Sequence, residues 1–76
     1  MREECLLENP LTEREQEVLR WVALGKSSKV ISDTLKISEN TVLFHLKKIH
    51  TKLGVRTRQH AVAKALSKKI ITLQMG

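Results

Sequence analysis

Phe44 stands among residue types that bind polyanions and base edges. Residues 39–53 read Glu-Asn-Thr-Val-Leu-Phe-His-Leu-Lys-Lys-Ile-His-Thr-Lys-Leu. Wound at 3.6 residues per turn, they place Val42, Leu46, Ile49 and Leu53 on one narrow stripe. Phe44 falls almost opposite, flanked by Asn40, Lys47, Lys48 and Thr51. The outer face of a soluble helix normally carries polar groups. An apolar ring among lysines and small hydrogen-bonding side chains suits a helix lying in a DNA major groove. There lysines meet phosphates or guanine edges, asparagine grips adenine, and apolar groups touch thymine methyls. A lone exposed Phe without a ligand is the plainer alternative, and the rest of the chain weighs on the choice.

Other chemistries find no constellation. The sequence offers no paired-carboxylate site, no nucleophile with a spaced base and no Gly-rich phosphate loop, so an enzyme is not expected. His45 and His50 are five apart, which turns them about 140° from each other on a helix. A helical zinc pair wants a spacing of four, and Cys5 and His60 add no ligand spacing. No metal or other cofactor is expected. The single Cys5 cannot form an internal disulfide and either suits a reducing compartment or is incidental. No apolar run approaches a membrane span, and residues 1–9 are too acidic for a signal peptide. The expected location is cytoplasmic, with no membrane partner.

The charge is unevenly placed. The chain has 76 residues and a formal charge of +6. Residues 1–38 carry six Lys/Arg against seven acids, a net −1, whereas residues 39–76 carry eight Lys/Arg against Glu39 alone, a net +7. Positive charge gathers in the half that holds the odd-faced helix, as a polyanion partner requires. A solvated basic surface remains the alternative.

The elements that must hold this helix are legible. Residues 1–10 read as an N-terminal tail or linker ending at Pro10, residues 11–73 as one folded domain, and 74–76 as a C-terminal tail. Thr12-Glu13-Arg14-Glu15 is a capping box opening a first helix over about 12–24, with Val18, Leu19 and Val22 inward and Gly25 as its stop. Trp21 lies at the edge of that inward face. Ser27 or Ser28 caps a second helix over about 28–35, burying Val30 or Ile31 with Leu35. Lys36-Ile37-Ser38 is a tight turn, and Ser38 caps the third helix, over about 39–53, which Gly54 ends. Thr57 caps a fourth over about 57–68, and Ile70, Ile71 and Leu73 could fold back on the core. The expectation is an all-α four-helix bundle. Its second and third helices form a helix-turn-helix, whose second member enters the groove.

The residues Leu11-Thr12-Glu13-Arg14-Glu15, Val18-Leu19, Gly25-Lys26-Ser27-Ser28-Lys29, Ile31, Leu35, Ile37-Ser38, Thr41-Val42, His45, Ile49, Lys52-Leu53-Gly54-Val55, Arg58 and Ala61-Val62 carry a resemblance. In this pattern the chain resembles the LuxR-type (GerE-like) helix-turn-helix domain over about residues 11–71. The resemblance implies a four-helix transcription-regulator domain that dimerises through its fourth helix and binds inverted repeats, with RNA polymerase as a possible further partner. It implies base contacts from the residues just after Thr41-Val42, namely Leu43, Phe44 and Lys47. The sequence departs from the family where Leu43 replaces a frequent basic or polar residue, Val30 a frequent Glu, Ser32 a frequent Ala and Lys69 a usual Gly.

On this reading Leu43, Phe44 and Lys47 touch bases, although Leu43 could also pack against the second helix. Ser28, Lys29, Asn40, Thr41, Lys48, Lys52 and Arg56 are expected at phosphates, since helix N-termini offer free amides and a positive dipole end. Asn40 could instead read adenine. His45, on the flank of the apolar stripe, is expected to pack, with a ring nitrogen bonded to backbone or phosphate. Glu15 lies inside the core stripe of the first helix, where a carboxylate must be paired; Arg58 is the expected partner. Ala61, Val62, Ala65 and Leu66 make a wide apolar arc, read as a homodimer interface or as cover for the monomer's own core. The function expected is a sequence-specific DNA-binding transcription regulator. A helical protein-interaction module using Leu43 and Phe44 is the competing class.

Overall fold

The computed structural model describes residues 10–72. Residues 1–9 and 73–76, and with them Cys5, Leu73 and most of the expected tails, lie outside the described residues. Four helices follow one another: α1 (Glu13–Ala23), α2 (Ser28–Leu35), α3 (Glu39–Leu53) and α4 (Arg58–Ser67). Among the described residues there is no strand.

Each helix starts on a hydroxyl. Thr12, Ser27, Ser38 and Thr57 take extended backbone, and each accepts a hydrogen bond from the amide three residues on. This satisfies one of the amides that a helix start leaves unpaired. Thr12 completes a capping box, its own amide donating to Glu15 Oε1 at 3.0 Å. The endings are equally uniform. Gly25, Lys36, Gly54 and Lys69 adopt positive φ of 86°, 61°, 68° and 59°. The amide after each of them closes back onto the carbonyl five residues earlier. Glycine adopts this geometry freely, whereas lysine is strained in it.

α3 is packed by all three other helices. Val18 and Leu19 of α1, Ile31 of α2, Val42, Leu46, Ile49 and Leu53 of α3, and Ala61 and Ala65 of α4 are buried together. Val55, beneath the α3–α4 turn, joins them, as do Ile70 and Ile71 folded back after α4. Trp21, Val22 and Leu35 pack against the cluster while partly buried. Of the pair Val30 and Ile31, Ile31 is the buried one and Val30 stays exposed. Ser32 is buried beside Ile31, and its hydroxyl donates to the Lys29 carbonyl at 2.7 Å.

The expected dimer arc on α4 needs correction here. Ala61 and Ala65 have no exposed surface, because they face α1 and α3 within the same chain. Their small side chains let α4 approach its neighbours closely, so they fill the monomer's core. Of the four residues of that arc, Val62 is half-buried and Leu66 exposed, and only these two keep outward surface.

Candidate nucleic-acid interface

The turn Lys36-Ile37-Ser38 sets α3 against α2. Lys36 ends α2 in the left-handed conformation, the Ile37 amide donates to the Ser32 carbonyl at 3.0 Å, and Ser38 opens α3. Half-buried Ile37 packs against the core below. Two packed helices are thus joined by a three-residue turn, which is the helix-turn-helix arrangement.

The inward stripe of α3 fixes what its other face presents. Leu43 is 47% exposed and Phe44 57% exposed. Lys48 lies over the Phe44 ring with Nζ 5.2 Å from the centroid, within range for a cation–π contact. Phe44, Lys47, Lys48, Thr51 and Lys52 together line a shallow, largely apolar hollow of about 320 Å³. Asn40 is exposed in the first turn of α3. α3 thus carries an apolar spot edged by cations, on a rod of about 22 Å at 1.5 Å per residue.

The other expected contact residues divide into open and occupied. Lys29, Asn40, Lys47, Lys48 and Arg56 are exposed; Lys29 has Asp33 3.9 Å away across one turn of α2. Thr41 is half-buried, with its hydroxyl 2.8 Å from Ser38 Oγ. Ser28 is half-buried, and its hydroxyl accepts from Arg58 Nη2 at 3.0 Å.

The expected Glu15–Arg58 pair is not formed. Glu15, 3% exposed, accepts instead from Lys52 Nζ at 2.8 Å. The reason is position. Lys52 leaves the flank of α3 that faces the start of α1, whereas Arg58, in the first turn of α4, reaches the start of α2. Lys52, expected at a phosphate, therefore has its ammonium committed to Glu15, and its side chain is only 30% exposed. Burial pushes the Glu15 carboxyl up. The Lys52 hydrogen bond, the Thr12 amide and the charges of Lys52 and Lys48 outweigh burial and hold it below its ordinary value of 4.5. One carboxylate thus caps α1 and clamps α3.

A second lysine escapes a reading of the sequence by periods alone. Lys64 Nζ donates to the Leu53 carbonyl at 2.8 Å, satisfying a carbonyl in the last turn of α3. The available signal is a lysine next to Ala65 and three after Ala61, on the inward arc of α4. His45 Nδ1 and His50 Nε2 are buried without a hydrogen-bond partner. Of the two partners expected for a His45 ring nitrogen, backbone or phosphate, Nδ1 therefore does not take the backbone one.

Residues 9–65 match the family described as "Bacterial regulatory proteins, luxR family". The chain belongs to that family. It is 49% identical over 65 residues to the HTH-type quorum sensing-dependent transcriptional regulator RpaR of Rhodopseudomonas palustris, covering 86% of this chain and 27% of that protein. It is 47% identical over 58 residues to the transcriptional activator protein LuxR of Aliivibrio fischeri, covering 76% of this chain and 23% of that protein. The chain thus spans about a quarter of the length of these relatives. The solved structure of the transcription factor GerE superposes with a TM-score of 0.82 at 37% identity, over 88% of this chain and all of that one. The luxR-family domain is thus shared in sequence and in shape, and its α3 carries the exposed Leu43–Phe44 spot and the open lysines.

Proposed function

We propose that this luxR-family domain binds double-stranded DNA with α3 in the major groove and regulates transcription. Leu43, Phe44 and Lys47 meet base edges, while Lys29, Asn40, Lys48 and Arg56, with the α2 and α3 N-termini near Ser28 and Thr41, meet phosphates. The observation that carries this reading is the exposure of Leu43 and Phe44 beside Lys47 and Lys48, on the open face of the second helix of a helix-turn-helix. The +7 charge of residues 39–76 supports it, and so does the kinship with transcription regulators. Chromosomal DNA as ligand places the protein in the cytoplasm.

The reading includes a symmetric dimer on an inverted repeat, through the outward residues of α4. Exposed Leu66 and half-buried Val62 support it. They border a cleft of about 590 Å³ that Val22, Ala23 and Ala63 also line. Sedimentation of the DNA complex should report two chains per site, and Leu66→Glu should leave one.

Salt titration tests the central reading. Affinity for duplex DNA should fall steeply with added salt, by roughly one power of concentration for each phosphate neutralised. Lys47→Ala should lower affinity for a selected site by about 1–3 kcal/mol while sparing random DNA. Equal losses on both DNAs would remove Lys47 from base reading. No duplex binding, together with salt-insensitive capture of a protein through Leu43 and Phe44, would replace DNA with a protein partner.

A further inference from the structure

We infer that the Leu43–Phe44 spot is a reader of the C5-methyl group of pyrimidines, so that this domain distinguishes thymine from uracil and 5-methylcytosine from cytosine. The inference rests on the DNA-binding reading and names the chemical group that α3 recognises. It starts from an oddity. Leu43 and Phe44 are adjacent in sequence, both about half exposed, on a helix whose inward face is otherwise completely satisfied by Val42, Leu46, Ile49 and Leu53. Neither side chain can donate or accept a hydrogen bond, so neither can read the donor and acceptor pattern of a base edge. In the major groove, the apolar feature a base pair offers to such side chains is the methyl on pyrimidine C5. Thymine carries it by nature and cytosine acquires it on methylation; the position and the chemistry are the same.

The surroundings favour a methyl over a larger apolar partner. Lys48 covers the Phe44 ring from 5.2 Å, and the exposed Lys47 and Lys48 edge the hollow beside it. A protein hydrophobic surface laid there would have to desolvate those ammonium groups. A duplex brings phosphates to them while presenting only a methyl to the ring. Lys48 also restricts the ring through the cation–π contact, so less side-chain freedom is left to lose on binding. Leu43, about 100° around the helix from Phe44, reaches a neighbouring position in the groove, so the spot spans more than one base step.

The test uses the 76-residue chain and a duplex selected from a random pool. Each thymine is replaced in turn by uracil, which keeps the pairing and removes only the methyl. Burial of one methyl is worth about a fourfold change in affinity, so uracil should weaken binding about fourfold at one or two positions per half-site and nowhere else. Replacing thymine by cytosine at those positions, re-paired with guanine, should weaken binding, and 5-methylcytosine should recover about fourfold of it. In Phe44→Ala, whose fold is checked by circular dichroism, the thymine–uracil ratio should fall to about one at the Phe44 position while salt-dependent DNA binding persists. Tight, salt-dependent binding that is indifferent to uracil at every position would overturn the inference and leave the DNA-binding reading standing. A thymine–uracil ratio unchanged in both Phe44→Ala and Leu43→Ala would assign methyl reading elsewhere and overturn it as well. Absence of binding to any duplex would overturn both.

Discussion

The two flanks of α3 use the same residue types for opposite ends. Lys52 and Lys48 are one turn apart. The first is drawn to a buried carboxylate at 2.8 Å and fastens α3 to α1. The second stays in solvent above an aromatic ring. Ile49 and Phe44 divide likewise: Ile49 is fully buried and Phe44 mostly exposed. A lysine or a large apolar residue has no fixed role in this helix. The inner flank consists of whatever α1, α2 and α4 cover, and it sets stability; the outer flank is whatever they leave, and it is free to bind. If the contrast is right, substitutions on one flank should change stability and on the other should change binding.

The largest effect should come from Ile49→Ala, which opens a cavity at the junction of the helices and should cost about 3 kcal/mol in urea unfolding. A loss below about 1 kcal/mol would mean that the inner flank is not the anchor it is taken to be. Lys52→Ala should come next, at about 2 kcal/mol, because it leaves the Glu15 carboxylate buried with only the Thr12 amide. Partial exposure of Lys52 keeps this below the cost of breaking a fully buried pair.

The same pair gives a pH signature. The Glu15 carboxyl is held below its ordinary value of 4.5, so its contribution is present above that pH. It should be lost as pH falls through the lowered value in the folded protein. Thermal melts of the parent should therefore show an acid limb below about pH 4.5, and Glu15→Gln should flatten it.

Smaller still, and touching neither flank, Lys36→Gly should stabilise by about 0.5–1 kcal/mol. It removes left-handed strain from lysine, against the greater chain entropy of glycine. Its DNA affinity should be unchanged, which makes it a control for stability alone. The smallest change in stability should be that of Phe44→Ala, within about 0.5 kcal/mol. A large destabilisation there would place Phe44 among the structural residues and erase the distinction between flanks.

Much of this was legible in the residues. Three of the four caps and the two glycine stops depend on contacts within three to five positions along the chain, so Thr12, Ser38, Thr57, Gly25 and Gly54 could be assigned from sequence, while Ser27 and Ser28 were both open as the cap of α2. The inward stripe of α3 follows from its period, as does the outward aspect of Phe44. Long-range side-chain partners were not legible. Lys52 and Arg58 were equally available in sequence to Glu15, and 37 positions separate Glu15 from the lysine that takes it. The arc of α4 was equally ambiguous, because Ala61, Val62, Ala65 and Leu66 can cover one core or meet a second chain.

The sequence by itself determined the four helices to within a residue or two at their ends, and which side of α3 is apolar, since helical period and capping act over one or two turns. Only the tertiary structure decided that Lys52 belongs to Glu15, that Arg58 reaches Ser28 and Lys64 the end of α3, and that Ala61 and Ala65 are interior. Those outcomes depend on the angles at which the helices cross. The crossing angles are set by how all the buried side chains pack at once, which no local stretch of sequence specifies.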